Sequence, residues 1–271
     1  MVFNIKKVQN YLLYSTFLNR KVRIELLHTG HPKQESCSGI LLLNDGQLAE
    51  TLDIQKILDD LYSRHAITSL KVVAIHAGER HMEYGVTGTP DYLGRGMKAG
   101  NYEAFIINEL LPWLHKNDNI SKKSQTAFAG FSLGGLSAFD IAISNPGSFS
   151  GAGIFSGSLW WRQKSYDDGY TDSDRIIFNK VAHTTVHHNF KCYLMAGTND
   201  ERNDRNENGI IDSVDDTLDM FDLLSAKINH PASNIRLSII EGGRHEPVTW
   251  SQQMPEFLIH TFGKPIPSLL Q

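Results

Sequence analysis

Gly130-x-Ser132-x-Gly134 lies between a short apolar run ending at Phe128 and a helix-like run beginning near Gly135. A serine between glycines where a strand turns into a helix is held in a strained backbone conformation with its hydroxyl projecting, the sequence form of a nucleophile elbow. The glycines let strand and helix pass without a Cβ collision. The same pattern also occurs as an ordinary Gly/Ser turn, so the reading depends on what the rest of the chain supplies. A serine hydroxyl attacks poorly until a histidine takes its proton and an acid fixes that histidine's tautomer.

In an open α/β sheet these partners follow the nucleophile in the order acid then histidine, each beyond the carboxyl end of a strand. Gly197-Thr198-Asn199-Asp200 follows an apolar run that starts at Phe190, and Gly242-Gly243-Arg244-His245 follows the last such run. Ser132, Asp200 and His245 are therefore the candidate nucleophile, acid and base. Glu201, Asp204, Asp212, Asp215 and Asp216 crowd the acid's neighbourhood and are alternatives to it. His183, His187 and His188 read as surface or packed residues, with a metal cluster as the competing reading. Charge developing on an attacked carbonyl oxygen needs two backbone N–H groups. Leu133, directly after the serine, supplies one; Asn44-Asp45-Gly46-Gln47 is the turn available for the other, and reads equally as a plain turn.

The elements that must position these residues follow from periodicity. Val22, Ile24 and Leu26 alternate with Lys21, Arg23 and Glu25, so the stretch from Val8 to Leu27 predicts an antiparallel edge pair. Continuous apolar runs at 39–43, 71–76, 151–155, 190–196 and 235–240 predict buried strands. Helical spacing covers Ile54 to Leu61, with Thr51 or Asp53 as cap, then Tyr102 to Trp113, 135–144, Arg175 to Val181, Val214 to Ile228, and Pro247 to Phe262. Pro112 is expected to kink its helix near the end, and Pro255 to bend or break the last one. The long loop before Asn101 is expected to form part of the site's rim. Strands alternating with helices predict an α/β architecture: a mostly parallel central sheet with helices on both faces and antiparallel N-terminal edge strands, in one domain spanning 1–271.

Composition excludes several classes. Of 271 residues, 41% are apolar and 21% charged, with a net charge of −4, so neither disorder nor an electrostatic footprint for nucleic acid or a membrane surface is indicated. No segment approaches a membrane span, and the N-terminus has no signal-peptide pattern; the expectation is a cytoplasmic protein, a removed signal leaving no trace. Cys37 and Cys192 are read as unpaired thiols.

With these pieces assembled the chain resembles the esterase branch of the α/β-hydrolases that includes enterochelin (siderophore) esterases, feruloyl and acetyl-xylan esterases, S-formylglutathione hydrolases and mycolyltransferases. The likeness rests on Leu42 to Gln47, Tyr102 through Glu109 to Trp113, Gly130 to Gly135, Ser156 to Trp161, and Gly242 to His245. It implies an α/β-hydrolase fold, a Ser132/His245/Asp200 triad, and Leu133 and Gln47 as the oxyanion donors. It also implies that Arg80, Trp160 and Trp161 line an acyl pocket for a small-molecule ester, with no cofactor for catalysis. The sequence shows no cluster of basic residues for an anionic catecholate. The same triad serves transfer of the acyl group to an alcohol, and a non-catalytic, calcium-dependent binding module of the same fold is the reading from a different class.

One segment departs from that likeness. Asp204, Asn206, Asn208, Ile210, Asp212 and Asp215, with Gly209 at the sharp turn, fit the spacing of a twelve-residue calcium loop, although position 12 is Asp rather than a bidentate Glu. The expectation is a structural calcium ion that stiffens the loop carrying Asp200; an Asn/Asp-rich loop capping the next helix is the alternative.

Overall fold

The computed structural model describes residues 8–29, 38–118, 120–121 and 123–264. The alternating stretch forms β1 (Val8–Ser15) and β2 (Arg20–His28), paired antiparallel with Tyr11 opposite Ile24. Val22, Ile24 and Leu26 face inward while Lys21 and Arg23 are exposed, as a half-buried strand requires. The apolar runs become β3 (Gly39–Asn44), β4 (Leu70–Ile75), β5 (Gln125–Phe131), β6 (Gly151–Phe155), β7 (Lys191–Asn199) and β8 (Ile235–Arg244). The described sheet has the order β1-β2-β4-β3-β5-β6-β7-β8. Only the β1/β2 and β2/β4 pairs are antiparallel.

Every residue of β3 and β4 is buried because both faces of the sheet are covered. Along β3, Ile40 and Leu42 enter one apolar layer and Leu41 and Leu43 the other. The first layer packs α3 (Ala99–Phe105), α4 (Leu111–Asn117), α5 (Leu133–Ser144), α6 (Ile176–His183) and α7 (Asp212–Ser225). The second packs α1 (Ile54–Ser63) and α9 (Pro247–Phe262). Two four-residue helices, α2 (Arg80–Glu83) and α8 (Pro231–Asn234), lie in connections. This is the α/β-hydrolase arrangement, with the edge pair where the alternating pattern puts it.

Two local expectations fail, and of the bend or break expected at Pro255 the break does not occur. Asp53 does stand at the start of α1, but in a left-handed conformation and with no capping side-chain bond, and Thr51 makes none either. Pro112 does not kink the end of a helix. It occupies the first turn of α4, and the irregularity precedes it as a π-helical stretch, Ile106–Leu110. A proline has no N–H to give to the turn before it, and wider i→i+5 bonding accommodates that loss. Pro255 does not break α9, which continues to Phe262, its inner face fixed by buried Met254, Phe257 and Leu258. Cys192 is a buried free thiol, and Cys37 lies outside the described residues.

Candidate active site

Ser132 stands between β5 and α5 with φ 54° and ψ −124°. A non-glycine residue holds that conformation only where its surroundings enforce it. Here the Ser132 amide donates to the Phe155 carbonyl at 2.9 Å, and its carbonyl accepts from the amides of Gly135 at 3.0 Å and Ser158 at 3.2 Å. A Cβ on Gly130 would lie 2.4 Å from the Gly134 carbonyl oxygen, so glycine there is a packing requirement. The Ser132 hydroxyl is half-buried and meets the Ser158 hydroxyl at 3.4 Å.

Leu133 is the first residue of α5, so its amide has no acceptor within the helix. The turn after β3 is locked against this helix start. Asn44 Nδ2 donates to the Gly134 carbonyl at 2.8 Å and Asn44 Oδ1 accepts from Tyr102 Oη at 2.6 Å. Tyr84 Oη accepts from the Asp45 amide at 3.2 Å. Gln47 sits in the 3-10 turn Gly46–Leu48 that follows. The two loops expected to offer oxyanion donors are thus held together by the side chains of Asn44, Tyr84 and Tyr102, in a role the sequence patterns do not show.

Arg80, expected in an acyl pocket, places its guanidinium as a fork on Asp45, at 2.8 and 2.9 Å, with a further bond to the Phe131 carbonyl at 3.3 Å. It braces the turn and keeps a partly exposed flank beside the site.

Asp200 follows β7, and one of its carboxylate oxygens, Oδ2, accepts from the Gly197 amide at 3.1 Å. The other, Oδ1, is buried and has no hydrogen-bond partner. His245 follows β8 directly and lies edge-on to Trp250, with ring centroids 5.3 Å apart. Trp250 in turn stacks on Phe131 at 5.0 Å and donates from Nε1 to Ser156 Oγ at 2.9 Å. One indole therefore links the ends of β5 and β6 to His245. Desolvation lowers the His245 pKa from 6.5, with the Asp200 charge opposing and the Arg80 charge reinforcing that shift. Since the residue is exposed, solvent damps each contribution. The ring is neutral near pH 7 and able to accept a proton.

The two tryptophans separate. Trp161 is fully buried, against Gly85 and Gly96 and with Nε1 to the Thr89 carbonyl at 3.4 Å, so it forms wall. Trp160 is half-buried and lines a cavity of about 290 Å³ together with Tyr92, Arg95, Arg162 and Glu201.

The Asp204–Asp215 loop flanks this cavity rather than the serine. Asp204 accepts from the amides of Asn208 at 3.1 Å and Gly209 at 2.9 Å, and Asn208 Oδ1 accepts from the Ile210 amide at 2.7 Å. Asp215 Oδ2 accepts the side-chain amides of Asn206 at 3.0 Å and Asn208 at 2.8 Å, while Asp212 accepts from the Arg205 amide at 2.8 Å. A calcium ion needs converging free oxygens. As arranged these oxygens accept N–H groups of the loop itself, each bond using one lone pair of its oxygen. Among the described residues no group of three or more His, Cys, Asp or Glu is placed to hold a metal, the 183–188 histidines included.

A family model described as "Putative esterase" matches residues 15–261. Among solved structures, the chain is similar to the enterobactin esterase FES from Shigella flexneri, with a TM-score of 0.71 and 20% identity over 93% of this chain and 57% of that one. It is similar to an IroE-like serine hydrolase from Shewanella oneidensis, with a TM-score of 0.71 and 17% identity over 93% and 79%. A ferulic acid esterase gives a TM-score of 0.67 and 16% identity over 94% and 98%. At these identities the likeness is one of fold. The chain spans less than three fifths of the length of the enterobactin esterase.

Proposed function

The chain belongs to the esterase family whose model it matches from residue 15 to 261, and from that premise we propose that it is a serine carboxylic-ester hydrolase working through Ser132, His245 and Asp200. The Ser132 hydroxyl attacks the ester carbonyl as His245 takes its proton, and the amides of Leu133 and Gln47 receive the developing negative charge. His245 then protonates the departing alcohol, and water, activated by the same ring, releases the acid from Ser132. The buried, unpartnered Asp200 Oδ1 is the observation that carries this reading. A carboxylate oxygen kept from water beside a histidine it influences electrostatically is the acceptor that the His245 N–H needs once the ring charges. Hydrogen bonds of this kind tighten when substrate arrives.

The neighbours named for enterobactin and ferulic acid make aryl-acyl esters the first class to assay. Ser132→Ala should lose at least about a thousandfold in kcat on a p-nitrophenyl ester while keeping its circular dichroism spectrum and melting temperature. A fluorophosphonate probe should label Ser132 in the unaltered protein. Turnover retained by Ser132→Ala refutes the assignment.

A further inference from the structure

Among the described residues six arginines are buried or half-buried, and five of them are neutralised. Arg20 grips Glu83, Arg80 grips Asp45, and Arg95 grips Asp91. Arg175 bonds Asp216 and Asp219, and Arg205 bonds Asp216 and Asp172. Arg162 is the exception. It is 9% exposed, yet no carboxylate lies within ion-pair distance of it among the described residues. Its Nε is buried with no acceptor, and Nη2 reaches Tyr92 Oη only at 3.4 Å. Aromatic faces surround the cation instead, Tyr166 at 4.0 Å, Tyr92 at 4.9 Å, Tyr170 at 5.8 Å and Trp160 at 5.9 Å.

Aromatic rings offset part of the cost of burying a guanidinium, but they leave its N–H donors unsatisfied. Arg162 borders the same cavity as Trp160 and lies four residues along the chain from Ser158, whose hydroxyl meets that of Ser132. The carboxylates on the cavity's other walls do not serve Arg162. Asp212 takes its bonds from Arg205 and Tyr166, and Glu201 lies beyond ion-pair reach, its pKa raised by burial and by Asp212.

We infer that Arg162 is the recognition point for a carboxylate carried by the ester substrate, held by the unfilled guanidinium edge while Trp160 covers the adjoining part of the molecule. A planar two-oxygen anion matches an arginine fork in a way that a hydroxyl or a neutral carbonyl does not. The inference rests on the hydrolase reading above, and it narrows that reading to esters of acidic molecules.

The test uses two matched pairs. In one the acyl group carries the charge, p-nitrophenyl hemiglutarate against p-nitrophenyl valerate; in the other the alcohol does, 4-acetoxybenzoate against its methyl ester. The expected result is a preference for the carboxylate member of one pair by about tenfold or more in kcat/KM, expressed mainly in KM. Arg162→Gln should bring that ratio close to one, and Arg162→Lys should restore part of it. Equal kcat/KM within both pairs, or a preference that survives Arg162→Gln, overturns the inference and leaves the hydrolase reading standing. If no ester turns over, the hydrolase reading fails. Quenching of tryptophan fluorescence by glutarate and benzoate, against the corresponding amides, then decides the inference: tighter binding of the acids, lost in Arg162→Gln, upholds it, and equal binding overturns it.

Discussion

The hydroxyls of Ser132 and Ser158 lie 3.4 Å apart, and the Ser158 amide also donates to the Ser132 carbonyl at 3.2 Å. The loop after β6 thus holds the elbow at two points, one of them on the atom proposed to attack. Removing the Ser158 hydroxyl takes away a partner that fixes the Ser132 rotamer. It leaves no charge stranded. Ser158→Ala should lower kcat about three- to tenfold with KM little changed, in keeping with one hydrogen bond of about 1 kcal/mol. Steady-state kinetics on a neutral aryl ester measures it, and an unchanged kcat removes Ser158 from the positioning of the nucleophile.

Asn44 is fully buried and joins the Gly134 carbonyl to the Tyr102 hydroxyl. Asn44→Ala strands both groups away from water, at a cost of about 1–3 kcal/mol for each. Urea unfolding should show the loss as a lowered midpoint with little change in slope. The folded fraction should also turn over more slowly, because the turn carrying the Gln47 amide is no longer fixed against α5.

How much of this was legible in the sequence differs from residue to residue. Ser132 and His245 could be singled out as candidates because chain order and strand ends constrain them, and strand ends show in apolar runs. Asn44, Tyr84 and Tyr102 could not, since each acts through a partner at least 39 residues away. Arg162 was invisible for a different reason. Its importance lies in the carboxylate it lacks, and only packing reveals that the other arginines near it are all paired. The calcium spacing in 204–215 does not by itself reveal that the Asn206 and Asn208 amides close the loop on Asp215. The loop before Asn101 contributes Tyr92 and Arg95 to the cavity that Trp160 lines, and Arg80 to the turn at Asp45.

The pH dependence follows from the burial of His245, which lowers its pKa, and from the opposed charges of Asp200 and Arg80 beside it. Its pKa is lowered from 6.5, so the neutral, proton-accepting ring persists to more acidic pH than in a free histidine. kcat/KM should therefore rise with pH through an inflection below 6.5 and be level at neutrality. Arg80→Gln removes a nearby positive charge, favours the imidazolium, and should move the inflection up. Asp200→Asn removes the negative charge and should move it down. Ring-proton NMR titration of His245 reads both shifts independently of activity; shifts of the same sign in the two variants contradict the arrangement.

Asp216 offers the largest single effect on stability. It is fully buried on α7, and its Oδ1 receives Arg175, at the start of α6, and Arg205, in the loop that continues from Asp200, each at 2.6 Å. When Asp216 is lost, Arg175 retains Asp219, about half-exposed, and Arg205 retains exposed Asp172 and, at 3.4 Å, buried Asp212; these longer or more exposed contacts offset only part of the desolvation already incurred. Asp216→Ala should therefore cost about 3–5 kcal/mol, the range for breaking a buried ion pair from one side. Asp216→Leu, which fills the volume, should be no better, because the two guanidiniums remain. Replacing Arg205 and Asp216 together by Met and Leu should recover part of the loss, since the number of stranded charges falls. A double-mutant cycle in urea measures that coupling, and additive costs would show that Asp216 and Arg205 do not act as a pair. If Arg205 holds the segment that carries Asp200, Asp216→Ala will also lower kcat at temperatures where the protein is still folded.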